Sequence, residues 1–292
     1  MDMILADGWE LEDRGSVIYT NLEDLVNRNR DQQSRSSAFR MMKPNTILVT
    51  GGRDLGIYKD RLQVSGSRML IAGTPSEWEE PVEVDVYVIG LNNHAYQGIR
   101  KISDKITKWY SSNMGVHDHP FEGIPFGTNP STKELVVKYK DTLKDKLLYM
   151  NFRHEREDGY ELCSEIAHDF RIEIWNRYKD RDWVTVESKV SEDQYCSNLA
   201  QHKFAFSPAG NGVDTYRTWE CLYLGVIPIV QKSEVTAWFS DLPILELTED
   251  EWKNLDDEFL ERKYGEMKSK TYNMEKLDKR FWINRIEDEV YD

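Results

Sequence analysis

In the second half of the chain, short apolar runs alternate with stretches that turn apolar every three or four residues. Leu147 to Phe152 reads as a strand. Ile166, Phe170 and Ile174 then recur at a spacing of four, one face of a helix. Trp183 to Val186 is a short strand, and Ser191 with Gln194 three residues on opens a helix in a capping-box pattern, with Tyr195 and Leu199 as its apolar stripe. A strand over Lys203–Phe206, a helix over Thr215–Leu224 that leaves through Gly225, and strands over Val226–Val230 and Pro243–Leu247 follow. Thr248 and Glu251 form a further capping box, and the helix behind it carries Trp252, Leu255, Phe259 and Leu260. Strands and helices in this alternation predict a parallel sheet covered on both faces.

The first half is less regular. Strands are predicted at Val17–Tyr19, Thr46–Thr50, Val84–Ile89 and Ile106–Tyr110, and a helix over Leu22–Arg28. Residues 31–43 are polar and rich in Ser and Arg, as in an exposed loop. This half reads as a second α/β domain. Gly127, Asn129 and Pro130 break the chain, and Ser131 with Glu134 predicts a new helix bearing Leu135, Val136, Tyr139 and Leu143. Residues 1–129 and 130–267 are therefore read as two α/β domains. Residues 268–292 form a terminal segment in which Met274, Leu277, Phe281, Trp282 and Ile286 predict a helix packed across both.

Composition narrows the function classes. The chain has 292 residues with 38 Lys and Arg against 52 Asp and Glu, a formal net charge of −14. That balance disfavours nucleic acid and anionic membranes as partners, because both are held by clustered cations. Cys163, Cys196 and Cys221 show no C-x-x-C spacing, which argues against a disulfide framework and a zinc site. No window holds the roughly 18 apolar residues of a membrane span. The acidic start, MDMILADGWELEDRG, does not read as a signal peptide, and the one N-x-S match, Asn129-Pro130-Ser131, is disqualified by proline. The expectation is a soluble, cytoplasmic protein.

The most informative run is Ser207–Val230, SPAGNGVDTYRTWECLYLGVIPIV. A strand end, a glycine turn and a helix N-terminus together hold an anion, since the turn exposes N–H groups and the helix dipole favours negative charge. Gly210 and Gly212 let backbone approach a phosphate, the amides from Asn211 to Thr215 would point at it, and Asp214 or Thr215 would cap the helix. Arg217, in the first turn, runs against the dipole and calls for an anion nearby. Glu220 lies on the same helical face; it could equally pair with Arg217, and the glycines could equally make an ordinary turn. Ser207 and Pro208 could shape that turn without touching a ligand, and Trp219 reads as core.

This run resembles the nucleotide-sugar motif of exostosin-like glycosyltransferases, in which a pattern close to P-x-G-N-G-x-D-T-x-R-x-W-E-x-L-x-x-G-x-I-P-I-V recurs. The strand LLYMNFR, ending at Arg153, looks like the first strand of that family's donor domain, and IPFG at Ile124–Gly127 looks like the segment before its interdomain linker. The resemblance is close over the motif, extends across residues 120–265 and fades over residues 1–110. Small members of the family occur in large algal viruses, including a xylosyltransferase acting on a capsid glycan, and the length of this chain fits that kind of protein; a viral enzyme would work in host cytoplasm.

The resemblance implies the GT-B architecture, two Rossmann-like domains facing across a cleft. The donor nucleotide would lie on the C-terminal one. It implies an inverting glycosyltransferase moving a sugar, with xylose the first choice, from a UDP-sugar to a glycan hydroxyl. Arg153, Ser207, Gly210, Asn211, Gly212, Asp214, Thr215, Arg217 and Glu220 would hold the donor, Glu220 through the ribose hydroxyls. The catalytic base would come from the first domain. Asp54 is preferred there, since it follows the strand Thr46–Thr50 through Gly51, Gly52 and Arg53, and α/β sites form at strand C-terminal ends. His117, Asp118 and His119 are the alternatives, and Arg53 and Lys59 could contact donor or acceptor. Asp180-Arg181-Asp182 has D-x-D spacing but precedes its strand, so it reads as a solvated turn. No cofactor and no essential divalent metal are expected. Two other readings remain: a nucleotide-sugar epimerase or hydrolase on the same fold, and a non-catalytic nucleotide- or glycan-binding protein.

Overall fold

A computed structural model describes residues 3–4, 17–20, 46–50, 106–113, 115, 117, 121–154, 165–210 and 212–291. Contacts divide the chain into two units, Met1–Leu5 with Phe126–Trp282, and Ala6–Pro125 with Ile283–Asp292. Both are α/β.

The second of these contains a parallel sheet of four strands in the order β1 (Val17–Thr20), β2 (Thr46–Thr50), β3 (Ile106–Ser111) and β4 (Phe121–Gly123). Val17 pairs with Ile47, Leu48 with Trp109 and Trp109 with Phe121. Three of the four strands expected in this half are present. The strand at Val84–Ile89, the helix at Leu22–Arg28 and the loop at residues 31–43 lie outside the described residues. Tyr110 and Ile124 are fully buried, and Arg285 bonds the buried Glu122.

The larger unit is built on a parallel sheet of five strands in the order β6-β5-β7-β8-β9. These are β5 (Lys146–Met150), β6 (Val184–Val186), β7 (His202–Phe206), β8 (Ile227–Gln231) and β9 (Leu245–Leu247). The first strand thus stands second, with the next strand on one side and all later ones on the other. That is the 2-1-3-4-5 order of a doubly wound sheet, and its switch point falls between β5 and β7. Crevices form there, because the connections leaving the two strands diverge to opposite faces.

Residues alternate faces along each strand. Leu148 and Met150, Phe204 and Phe206, and Ile227 and Ile229 enter one core together with Phe170, Ile174 and Tyr178 of helix α2 (Glu165–Tyr178). The same core takes Trp252 from α6 (Glu249–Lys253) and Leu260 and Met267 from α7 (Asp257–Lys268). Trp252 stacks on Phe206 at 4.9 Å between ring centroids. Helices α1 (Lys133–Tyr139), α3 (Glu192–Leu199), α4 (Tyr216–Leu224), α5 (Glu234–Ala237) and α8 (Lys279–Tyr291) complete the described helices.

Local signals hold at several helix ends. Ser191 accepts from Gln194 N, both halves of the Thr248–Glu251 box form, and Gly225 ends α4 at φ +70°. Others are corrected by distant contacts. The single helix expected behind Thr248 is two, α6 and α7, because the Tyr178 hydroxyl donates to Trp252 O and accepts from Leu255 N, and Asp256 then caps α7. Ser131 caps nothing: Asn129 caps a 3-10 turn over Pro130–Thr132, Ser131 Oγ bonds Glu192, and α1 stops at Tyr139, leaving Leu143 exposed. In the terminal segment a 3-10 turn over Met274–Leu277 precedes α8, and Met274 is exposed rather than part of an apolar stripe.

One element has no local signal. Ile4 is buried, its N–H donates to the Tyr223 hydroxyl, and its carbonyl accepts from Thr128 N. Gly127, at φ +88°, meets this segment so closely that an added Cβ would stand 2.7 Å from Ile4 O. A side chain there would be strained by both its φ and the clash.

Candidate functional site

The connection from β7 to α4 follows the switch-point strand, and buried polar contacts fix its course. Ser207, 1% exposed, donates its N–H to Ile229 O, and its hydroxyl meets the Thr215 and Thr218 hydroxyls at 3.0 and 2.9 Å. The two ends of the loop are thereby tied together. Inside it Gly210 N donates to Gly212 O at 2.8 Å. Asp214 is buried and does not cap α4. Its Oδ1 accepts from Trp219 Nε1 at 2.7 Å and its Oδ2 from Phe126 N at 2.8 Å. Burial pushes its carboxyl up to about 7 against the pull of these donors. Thr215 occupies the N-cap position with extended backbone and makes no side-chain cap. Trp219 is core, as expected.

Thr215 thus gives the N-terminus of α4 no side-chain cap, and the helix opens on a cavity of about 340 Å³ at the C-terminal ends of β5 and β7. Arg153 lines it from the β5 end, Lys189 from the loop after β6, and Thr215, Tyr216, Arg217 and Glu220 from the start of α4. Arg217 Nε donates to the Tyr195 hydroxyl at 3.3 Å, and its guanidinium lies 5.5 Å from the Tyr195 ring centre. Glu220, 3% exposed, accepts from Tyr195 Oη and Thr132 Oγ1, each at 2.7 Å. Glu220 is thus held by two hydroxyls rather than by Arg217. Each carboxylate oxygen retains a second lone pair for a further donor. Burial, reinforced by the charge of Glu220, raises the Tyr195 phenol well above its usual range, so it stays a neutral hydroxyl.

A larger cavity, about 700 Å³, lies near the start of β9 beside α7. It collects none of the residues singled out from the sequence and sits at the strand end opposite the switch point. Size alone is a poor guide here, and the residues singled out from the sequence gather at the smaller cavity.

Of the predicted donor residues, Arg153, Thr215, Arg217 and Glu220 meet around that cavity. Ser207 and Asp214 are buried behind the turn, Gly210 and Gly212 form it, and Asn211 lies outside the described residues. His117 is exposed after β3, while Asp54, Asp118 and His119 lie outside the described residues. Asp180 to Asp182 form an exposed turn, as expected. Five contributors were not foreseen, Lys189 and Tyr216 among them. Thr132 follows a proline break, and Tyr195 passes for part of an apolar stripe. Arg171 passes for an ordinary polar residue of α2. The arrangement can receive an anion at a helix N-terminus, neutralise it with guanidinium groups and accept hydrogen bonds from a hydroxylated neighbour.

Residues 149–240 match the family model described as RXYLT1 C-terminal domain. The match runs from within β5 to just past α5, so it takes in every cavity residue named above except Thr132. No curated protein matches the chain. The similarity supports a xylosyltransferase-like family related to the exostosins, and with it a glycosyltransferase acting on sugar donor and acceptor substrates. Among the described residues no helix is long and apolar enough to cross a membrane.

Proposed function

We propose that the protein is an inverting glycosyltransferase that moves a sugar, xylose in the first instance, from its UDP conjugate to a glycan hydroxyl. The observation that carries this reading is the uncapped N-terminus of α4, open on the switch-point cavity with Arg217 in its first turn. The diphosphate of the donor takes the place of the missing cap. Arg217 and Arg153 balance its charge, and they strengthen their hold as the glycosidic bond breaks and negative charge builds on the leaving phosphate. Glu220 accepts from the ribose hydroxyls through its free lone pairs. The acceptor hydroxyl, deprotonated by a base in the other unit, attacks the anomeric carbon from the face opposite the diphosphate and inverts it. Asp54 is the base in this reading, and the two units are the halves of a GT-B enzyme. The cationic groups do the work a divalent metal would otherwise do.

Thermal shift against a set of nucleotides tests the donor. UDP or UDP-xylose at 100 times its dissociation constant stabilises the fold by about 2.7 kcal/mol. A shift with GDP compounds and none with UDP compounds would move the donor assignment. Turnover of UDP-xylose that EDTA abolishes and Mn²⁺ restores would remove the metal-independent mechanism.

A further inference from the structure

Arg171 lies within α2 and is only 8% exposed. All three of its nitrogens go to backbone carbonyls: Nε donates to Ala209 O at 2.8 Å, Nη2 to Pro208 O at 3.1 Å and Nη1 to Arg153 O at 3.2 Å. Its guanidinium lies 5.7 Å from the Phe152 ring centre. The three carbonyls belong to the two loops that leave the switch-point strands, one after β5 and one after β7. A Cβ on Gly210 would come within 3.0 Å of Nη2, so the turn closes tightly over the guanidinium.

We propose that Arg171 is a positioning residue for the nucleoside diphosphate site, fixing the turn Pro208–Gly210 against the backbone at Arg153. The proposal rests on the donor reading given above. The guanidinium is a planar fork whose donors leave in fixed directions, so three bonds to two loops set their separation and their tilt together. The carbonyls it draws inward are also negative dipole ends, which it keeps off the wall an anion would approach. A lysine in its place keeps the charge but is a point donor on a flexible stem and cannot hold the three carbonyls in that geometry. Three hydrogen bonds of Arg171 go to the backbone, and it acts on the ligand through Arg153 and the turn.

Titration calorimetry with UDP on the full chain separates geometry from charge. Arg171→Lys, shown folded by a cooperative melt, is expected to bind UDP at least tenfold more weakly, with Arg171→Gln within threefold of it. Wild-type affinity in Arg171→Lys alongside a loss in Arg171→Gln would leave charge as the whole effect and overturn the proposal. So would wild-type affinity in both. If the unaltered protein binds neither UDP nor inorganic pyrophosphate, the donor reading falls and this one with it. Should neither variant fold, the unaltered protein decides. Its Arg171 Nε–H resonance is expected to be protected from exchange and to shift on adding UDP, and a freely exchanging signal that ignores UDP would overturn the proposal.

Discussion

Two regions of the larger unit, the apolar core and the switch point, are built from different materials. Against α2, α6 and α7 the strands bury Phe204, Phe206, Ile227 and Ile229 with Trp252 and Tyr178, and the cohesion there is apolar area and ring packing. Around the switch point the buried groups are Ser207, Asp214 and Glu220, each with specific hydrogen-bond partners. Burying such groups costs energy unless every partner is in place, so the second region contributes little net stability and much definition of shape. An apolar core tolerates small rearrangements, whereas a hydrogen-bonded turn has one arrangement. The comparison places apolar cohesion in the core and definition of shape at the switch point.

That division can be broken in three ways. The largest effect is expected from Trp252→Ala, which empties a fully buried site in the apolar core. It should cost about 3–5 kcal/mol in denaturant unfolding while the folded fraction binds UDP as before. A parallel loss of affinity would show that the two regions are one. Arg217→Met should do the reverse. UDP binding measured by calorimetry should weaken by about 2–3 kcal/mol, the worth of a charge-assisted contact, while the melting temperature stays within a few degrees. A large fall in stability with affinity intact would make Arg217 structural.

The third test uses pH. His202, whose Nδ1 donates to Asn198 O at 2.7 Å in its neutral form, is held by burial at about 4. Its unfolded pKa is about 6.5, so below that pH the unfolded chain takes the proton first and stability is lost as pH falls towards 4. Asp214 has the opposite sign. Burial holds it at about 7 in the folded protein, so stability is greatest below about 4 and is lost as pH rises to 7. Between pH 7 and pH 5 each amounts to about 2 kcal/mol, and they oppose each other. The unaltered protein should therefore show a nearly flat profile there, and His202→Phe should grow more stable by about 2 kcal/mol on going from pH 7 to pH 5. A flat profile in the variant would mean that Asp214 is ionised throughout.

Much of the larger unit was legible because its signals are local. Gly225 ends α4 where the chain must turn left-handed, the Thr248–Glu251 box closes on itself, and the strand–glycine–helix run of Ser207–Leu224 stands where its pattern places it. What escaped depends on partners far along the chain. Tyr178 breaks the helix after Lys253, and Asn129 takes the capping role given to Ser131. Asp214 has the residue type of a cap but is drawn inward by Trp219 and Phe126. The strand order that creates the switch point is equally invisible, since periodicity gives strands but not their neighbours. At the site, Arg217 was legible as a cation placed against a helix dipole. Arg171 was not, because only the tertiary fold brings three carbonyls to its side.

The place of Ile4 bears on how the chain is made. Its bond to Tyr223 spans 219 residues, and the Tyr223 hydroxyl in turn donates to Leu277 O. During synthesis the segment leaves the ribosome before every residue that receives it, from Gly127 and Thr128 to Tyr223 and Asp278. The nascent chain must carry the apolar Ile4 unhoused until those residues are made, and closing the loop between them costs entropy. Docking of Ile4 beside Gly127 is then a late event in folding.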